Sequence, residues 1–272
     1  QWSQEFRLAS SFEGDLNFLL GLFWLDYEAV EDRHWYNSAT AWAGQLLGLS
    51  EREQIFGADI DPFEENSAAV FGELYWSLTD RLDLTLGLRY SDEEKKIRQR
   101  TILLNWLSQI DDEGGWDEFE SDWQETTGKL NLSYHLSEDS LLYGTLSRSY
   151  KSGGFNHTSS GSGYLDPEVG GDPDNAFYDP EFINSAEVGI KSRMLENSLQ
   201  VNLTGFYYDY EDMQVTDFLG GDTYTNNTDA EIMGVEGEFV FAPNERWLLQ
   251  ANVAWLATEI KDFQGIDPTN PN

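Results

Sequence analysis

Alternation of apolar and polar residues with a period of two runs through most of this chain and constrains its fold more than any other feature. The clearest example is Leu82 to Ser91, where Leu and Tyr side chains occupy every second position and polar side chains or glycine occupy the others. Such alternation places successive side chains on opposite faces of a β-strand. The chain is therefore predicted to be all-β, with antiparallel strands.

The predicted strands are joined alternately by short turns and by long polar connections. Short turns lie near positions 13, 80, 138, 196 and 244. Long loops are predicted at 28–65, 101–121, 151–181 and 209–229. A β-sandwich would repeat its short strands every ~8–12 residues, whereas hairpins here recur at roughly 50–70 residues. Short turns alternating with long loops are typical of transmembrane β-barrels.

The two faces of the predicted strands differ in chemistry. One face carries Leu and Val, with aromatic residues toward the ends of the apolar band: Trp76, Tyr90, Tyr134, Tyr207 and Trp247. The other face carries charged or titratable residues: Glu73, Arg89, Lys129, His135, Glu187, Lys191, Arg193, Glu236 and Glu238. Aromatic residues at the band edges suit the two interfaces of a bilayer. We therefore favour a membrane barrel, with a soluble β-rich binding or adhesion domain with acidic loops as the alternative.

Composition excludes several classes of function. The net charge of −34 and the pI near 4.1 argue against binding to nucleic acid, whose phosphates need neutralising cations. Cysteine is absent, so disulfides, thiolate metal sites and cysteine nucleophiles are excluded for these residues. The longest apolar run, Phe18–Leu25, is far shorter than the ~20 residues of a membrane helix. A mean hydropathy of −0.52 is compatible with a barrel, because only alternate residues would face lipid.

A distinctive segment ends one of the predicted strands. The strand from Leu141 runs into Tyr150, Lys151, Ser152, Gly153, Gly154, Phe155 and Asn156. Two successive glycines allow the backbone to leave a strand with dihedrals that other residues avoid. From the residues alone, this segment is a strand end followed by a bend. It also resembles a motif in the barrel domain of TonB-dependent outer-membrane receptors.

Further segments are similar to the same family, in the same order along the chain: Ser3–Ser10, Leu86–Tyr90, Tyr207–Val215 and Gly234–Glu238. The resemblance implies that residues 1–272 are a partial barrel domain, with about ten strands of a barrel of about 22. It implies that a plug domain, a TonB box and C-terminal strands lie outside these residues.

The resemblance also implies a function. This is active transport of a scarce nutrient, of the siderophore-iron, cobalamin or carbohydrate class, energised through TonB. The implied location is the bacterial cell outer membrane. The implied partners are outer-membrane lipid and lipopolysaccharide, the TonB complex through the N-terminal region outside this chain, and the small-molecule nutrient.

No catalytic residue, metal ligand or cofactor site is predicted, and no enzyme activity. His34, His135 and His157 are scattered, and none belongs to a metal-ligand spacing such as H-E-x-x-H. With 50 acidic residues, carboxylate pairs arise by chance, so a glycosidase dyad is unsupported. Asp172–Asn175 and Asp222 offer oxygen atoms of the kind that Ca²⁺ prefers, but the EF-hand pattern is absent. A solvated acidic loop is the favoured interpretation.

Aromatic residues in the predicted loops are candidates for ligand contact: Trp35, Tyr36, Trp42, Trp106 and Trp116. Aromatic rings stack on sugars and chelates, but they also pack loops on themselves, and the sequence leaves both interpretations open. Arg148 and Lys151 are cations within an acidic chain. They would either attract an anionic substrate or offset neighbouring carboxylates, and we favour the second role.

Overall fold

One antiparallel sheet of ten strands dominates the computed structural model, which describes residues 1–35, 46, 56–102, 116–156, 176–219 and 222–261. The strands, in sheet order, are β1 (Trp2–Ala9), β2 (Leu16–Trp35), β3 (Phe56–Thr79), β4 (Leu82–Ile102), β5 (Asp117–Ser137), β6 (Ser140–Lys151), β9 (Glu181–Met194), β10 (Leu199–Leu219), β11 (Asp222–Asn244) and β12 (Trp247–Lys261). A small second sheet pairs β7 (Gly154–Phe155) with β8 (Phe177–Tyr178). Among the described residues, no helix is long and apolar enough to cross a membrane. The predicted all-β antiparallel fold is confirmed.

Every pair of neighbouring strands in the large sheet is antiparallel, and strands adjacent in the sheet follow one another along the chain, apart from the small β7–β8 sheet. The short turns at 10–15, 80–81, 138–139, 195–198 and 245–246 all lie at one end of the sheet, which we call the turn end. The longer connections lie at the opposite end, which we call the loop end. The predicted alternation of short turns and long connections is therefore confirmed, but the loop boundaries were partly wrong.

The strands continue further toward the loop end than predicted. β2 and β3 occupy much of the predicted loop at 28–65, and β10 and β11 occupy most of the one at 209–229. The alternation fades there because charged side chains occupy odd and even positions alike, as in Asp92–Arg100 of β4. Ladder hydrogen bonds define these extensions instead, since β4 pairs with β5 without interruption as far as Gln99.

The large apolar side chains of the sheet are exposed rather than buried. Leu88 and Val188 are each 58% exposed, and Val235 is 52% exposed. The buried apolar cluster that the structure describes is small, lies near the loop end and centres on Ile60, Ile97 and Phe155. A soluble sheet buries its apolar face against a second layer. This face therefore requires an apolar surrounding, such as hydrocarbon.

The apolar band crosses the sheet diagonally. On β2 it runs from Leu16 to Trp24, centred on Leu20, and on β11 it runs from Met233 to Phe241, centred on Gly237. When the paired residues are followed from Leu20 across seven neighbouring strands, they lead to Glu231 on β11. Glu231 is six residues from Gly237, the centre of the band on that strand. With a rise of ~3.3 Å per residue and a strand spacing of ~4.8 Å, this offset corresponds to a strand tilt of about 30° from the band normal. The strands of closed barrels are tilted by roughly 35–45°.

The sheet curls toward its polar face. In a flat sheet, the five strand spacings between β4 and β11 would amount to about 24 Å. Near the loop end, however, Asn156 contacts both strands: the Gln99 side chain donates to its carbonyl oxygen at 3.2 Å, and its own side-chain amide donates to the carbonyl oxygen of Thr225 at 2.9 Å. Gln99 shares the face of Arg89, because β4 alternates regularly along its pairing with β5. The polar face is therefore concave and the apolar face convex.

Candidate functional site

Polar side chains form a connected layer across the concave face. Lys129 of β5 pairs with Glu73 of β3 at 2.6 Å, and the Glu73 carboxylate also accepts a hydrogen bond from the Tyr75 hydroxyl. Further contacts link strand to strand: Asn131 to Thr145 at 2.8 Å, Tyr143 to Thr204 at 2.9 Å, Tyr208 to Glu187 at 2.8 Å, Asn202 to Glu238 at 2.8 Å and His135 to Asp83 at 3.0 Å. Such a surface suits contact with water or with a polar protein segment, and the predicted position of His135 on the polar face is confirmed.

Three glycines on the concave face lie directly opposite aromatic residues. Gly21 pairs with Phe71, Gly189 with Tyr143 and Gly234 with Phe206. A Cβ atom at these glycines would come within 2.1, 2.6 and 2.7 Å, respectively, of the facing ring. Each ring therefore lies over the bare backbone of its partner, an arrangement that pins strand register through cross-strand contact.

The motif segment folds inward over the concave face instead of extending into solvent. β6 ends at Lys151, so the predicted strand end is confirmed. Ser152 to Asn156 are all buried, a feature that the predicted strand end and bend did not indicate. We call residues 151–156 the strap. Its burial comes from contacts with strands distant in sequence, which a local pattern does not contain.

Apolar contacts fix the strap to β3, β4 and β5. Phe155 belongs to the buried cluster with Ile60 and Ile97, and its ring stacks on Phe119 at a centroid distance of 6.2 Å. Phe177 of β8 meets both rings edge-on, at 5.3 Å from Phe119 and 5.7 Å from Phe155. This cluster is the described core of the loop end, and it holds the strap on the concave side.

The two strap glycines are required for close approach. A Cβ atom on Gly153 would lie 2.4 Å from the carbonyl oxygen of Tyr178 and 2.9 Å from the Trp123 ring. A Cβ atom on Gly154 would lie 2.3 Å from the Tyr178 hydroxyl. The sequence interpretation assigned these glycines to a bend. The structure shows that they also leave room for β8 and Trp123.

Charged groups at the loop end lie in partly buried surroundings. The Lys95 ammonium donates to the Gly153 carbonyl oxygen at 3.0 Å and lies 5.5 Å from the centre of the Trp123 ring. Burial lowers the pKa of Lys95, and the carboxylates of Glu65 and Glu93 oppose this shift. Lys95 therefore ties the strap to β4 through a charge-assisted hydrogen bond.

Asp212 lies where β10 leaves β9, at a register irregularity between Tyr210 and Met213. Its backbone has a φ of 54°, in the left-handed region. Burial raises the pKa of Asp212, and the carboxylates of Asp229, Asp179 and Glu211 add to the shift. This is a like-charge cluster, but the described residues contain no group of three or more His, Cys, Asp or Glu side chains arranged to hold a metal ion.

The two motif cations have different surroundings. Arg148 pairs with Glu211 at 3.1 Å and also donates a hydrogen bond to Asn184 at 2.8 Å, so its charge is already paired. Its guanidinium stacks on Phe182 at 4.3 Å. For Arg148, the predicted offset of a neighbouring carboxylate is confirmed. Lys151 is exposed and pairs with Glu181 in the β6–β9 ladder.

Of the five candidate loop aromatics, Trp116 is the one whose side chain the structure describes. Its ring lies under two guanidinium groups, those of Arg98 at 4.2 Å and Arg100 at 4.8 Å. Trp35 is the last residue of β2. Tyr36, Trp42 and Trp106 lie outside the described residues. Ligand contact by these five aromatics stays a prediction.

Sequence reasoning missed the residues that hold the strap, namely Lys95, Gln99, Gln214 and Thr225. Gln99 and Asn156 are 57 positions apart, and Asn156 and Thr225 are 69 apart. Periodicity reports only on neighbours along the chain, so it carries no signal for such contacts.

Comparison with known proteins identifies the architecture. The family model described as "TonB dependent receptor-like, beta-barrel" matches residues 1–272. The pesticin receptor of Yersinia enterocolitica is 29% identical over 188 residues, which cover 68% of this chain and 25% of the receptor. The chain thus spans about a quarter of the length of the curated relatives it matches.

Solved structures share the fold. The ferric yersiniabactin uptake receptor of Yersinia pestis matches 95% of this chain and 35% of its own, with a TM-score of 0.71 and 20% identity. A copper transporter matches 94% of this chain and 38% of its own, with a TM-score of 0.66 and 17% identity. The family consists of transport receptors of the bacterial outer membrane, not of enzymes. The chain belongs to the TonB-dependent receptor family and forms part of its β-barrel domain.

Proposed function

We propose that the protein containing this chain imports a metal chelate of the siderophore-iron class across the outer membrane, with energy supplied through TonB. The observation that carries the proposal is the match of the whole chain to the receptor barrel. The solved relative named as a ferric yersiniabactin uptake receptor favours siderophore-iron over cobalamin or carbohydrate.

The geometry supports a transport role for the concave face. Its polar layer, from Glu73 on β3 to Glu238 on β11, would line a water-filled interior or contact the plug domain expected outside these residues. The exposed convex band would contact outer-membrane lipid, with lipopolysaccharide in the outer leaflet. A soluble binding or adhesion domain would leave this band in water, so the barrel is the better interpretation.

An uptake assay tests the proposal. Cells lacking their own ferric-chelate receptors would produce the full-length protein and receive ⁵⁵Fe as ferric yersiniabactin or ferric citrate, with labelled cobalamin and a labelled oligosaccharide in parallel. We expect uptake of at least one ferric chelate, and loss of that uptake when TonB is deleted.

Two results would contradict the proposal. Uptake that persists without TonB would indicate a passive pore. Uptake of cobalamin or oligosaccharide, with none of either ferric chelate, would move the protein to another substrate class. As a control for location, the full-length protein should fractionate with outer membranes and require detergent for extraction.

A further inference from the structure

Asn156, the last residue of the strap, connects three separate elements. It is only 3% exposed. Its backbone N–H donates to the Ala176 carbonyl oxygen at 2.8 Å, and its carbonyl oxygen accepts from Gln99 of β4 at 3.2 Å. Its side chain makes two further bonds to Thr225 of β11: Nδ2 donates to the Thr225 carbonyl oxygen at 2.9 Å, and Oδ1 accepts from the Thr225 N–H at 2.8 Å.

The Asn156 amide occupies the place of a strand partner on β11. Thr225 faces Thr216 of β10, and their hydroxyl oxygens lie 3.0 Å apart. Close side chains are typical of the non-hydrogen-bonded pair type, in which the backbone groups point away from the partner strand. Those groups of Thr225 bond to Asn156, beyond the last described rung between β11 and β12, Asp229–Lys261.

The tip of the β10–β11 hairpin extends beyond the large sheet. The last rung between β10 and β9 is Glu211–Phe182. Residues 213–219 and 222–228 therefore pair with each other without flanking strands among the described residues. We call this part the outer hairpin. A two-stranded hairpin is marginally stable by itself, so its position depends on other contacts.

Further bonds tie the outer hairpin to the strap and to the connection between β8 and β9. The Gln214 side chain donates to the Ser152 carbonyl oxygen at 2.9 Å and to the Asp179 carbonyl oxygen at 3.1 Å. Asn227 accepts from the Asp179 N–H at 2.7 Å and donates back to its carbonyl oxygen at 3.0 Å. An outward movement of the hairpin would break all of these bonds. The side-chain amide of Asn156 would then lose both of its bonds to Thr225 and would need new partners.

We infer that Asn156 is the positioning residue of the outer hairpin. Through the strap, it holds residues 213–219 and 222–228 against the wall formed by β3, β4 and β5, so the outer hairpin is a fixed part of the receptor's outer opening and not a moving cover. The inference rests on the proposed function only in assigning the loop end to the cell exterior.

Hydrogen exchange of the full-length receptor in detergent tests the inference. In the wild-type protein, the Thr225 amide and its neighbours at 222–228 should exchange slowly. The Asn156→Ala variant removes both side-chain bonds. We expect exchange at 213–219 and 222–228 to become at least about tenfold faster, with no change in the rungs between Leu199 and Tyr210.

Matched variants separate this role from general damage. Asn202→Ala removes an asparagine from the part of β10 that lies within the large sheet, where it bonds to Glu238 at 2.8 Å, and should leave exchange at 213–219 and 222–228 unchanged. Asn156→Asp keeps an acceptor for the Thr225 N–H but loses the donor, so exchange at Thr225 should be intermediate. Gln214→Ala loosens the same hairpin from its other strand and provides a second test if Asn156→Ala fails to fold, as judged by heat-modifiable migration on gels.

Two outcomes would overturn the inference. One is rapid exchange at 222–228 in the wild-type receptor. The other is wild-type exchange in Gln214→Ala and in any folded Asn156→Ala protein, which would mean that the hairpin's own ladder is sufficient. Neither outcome depends on which substrate is transported, so a failed uptake assay and a failed exchange experiment are distinguishable.

Discussion

At the scale of single residues, the loop end depends on small or polar side chains at places of close approach. Gly153 and Gly154 leave room for β8 and Trp123, and Asn156 supplies backbone-like bonds to β11. These three residues come from the motif by which the sequence resembles its family. Their roles are structural, and the polar groups they satisfy would be costly to leave buried and unpaired.

Replacement of Gly153 by Ala should destabilise the strap by about 1–3 kcal/mol, because the new methyl group meets the Tyr178 carbonyl oxygen, and backbone must move to admit it. The local opening free energy at 153–156, from hydrogen exchange of the full-length receptor, measures this cost. Gly144→Ala is the control, since its nearest atom would be 3.7 Å away. Equal costs for the two variants would contradict the close-approach explanation.

Asp212→Asn should stabilise the outer hairpin at pH 7. Burial and three nearby carboxylates raise the folded-state pKa of Asp212 above its ordinary value of 3.8, so the charged form carries a penalty in the folded state. That penalty is fully present above the folded-state pKa and is lost as pH falls below 3.8. Asn also tolerates the left-handed backbone at this position.

The measurement is hydrogen exchange at 213–219 in both proteins, corrected for the intrinsic effect of pH. The variant's slower exchange at pH 7 should converge on the wild-type value as the pH falls below 3.8. A stabilisation that persists unchanged at low pH would show that charge is not its cause.

At the scale of strands, the longer β-strands combine a membrane-spanning part with a polar extension. The apolar run on β4 extends from Leu82 to Tyr90, whereas the strand itself continues to Ile102. Beyond the run, exposed ion pairs such as Lys96–Glu94 at 2.9 Å occupy the convex face, and each contributes little to stability. The backbone hydrogen bonds between neighbouring strands hold the extensions together, and the sheet therefore continues beyond the apolar band at the loop end.

An arginine series along β4 should reveal where the bilayer lies. Leu86 is at the centre of the apolar run and Leu82 is at its turn end. Leu86→Arg should destabilise the full-length receptor in lipid vesicles by about 2–4 kcal/mol, and Leu82→Arg by only about 0–1 kcal/mol. Urea unfolding measures both. A similar cost at the two positions would mean that the band is not centred on Leu86.

Sequence reasoning was reliable where one face of a strand is apolar and the other polar. It predicted the faces of Leu82–Ser91 and the outward position of Trp76 and Tyr134, because a bilayer imposes one solvent on each face. It placed the ends of β2, β3, β10 and β11 wrongly, because polar side chains there occupy odd and even positions alike and the period of two is lost. It gave no indication that Asn156 would bond to Thr225, since side-chain bonds across the curled sheet leave no periodic trace.

At the scale of the whole molecule, the described sheet has the curl, tilt and sidedness of a barrel wall. The strap bridges from β4 to β11, the polar layer covers the concave face and the band follows a diagonal course. The net charge of −34 is compatible with these features because acidic residues are concentrated in the polar face, the extensions and the connections.

The diagonal band predicts how the receptor stands in a membrane. Strands of the full-length protein should tilt from the membrane normal by about 30–45°, the range between the offset of this band and the usual tilt of barrel strands. Polarised infrared dichroism of the amide I band in aligned bilayers measures the average tilt. Strands that stand nearly upright would contradict the assigned band.

The same offset of the apolar band makes assembly of the sheet sensitive to errors in strand register. A slip by one residue at any strand pair would exchange the two faces, whereas a slip by two would keep the faces and shift every later strand by ~7 Å along its axis. If β9 slipped by two toward the turn end, Asn184 and, through its ladder, Asp209 and Glu231 would descend toward hydrocarbon. Such a slip is opposed by three glycine–aromatic pairs: Gly21–Phe71, Gly189–Tyr143 and Gly234–Phe206. Each ring lies over the bare backbone of its glycine only in the observed register, and a slip would place a side chain there instead.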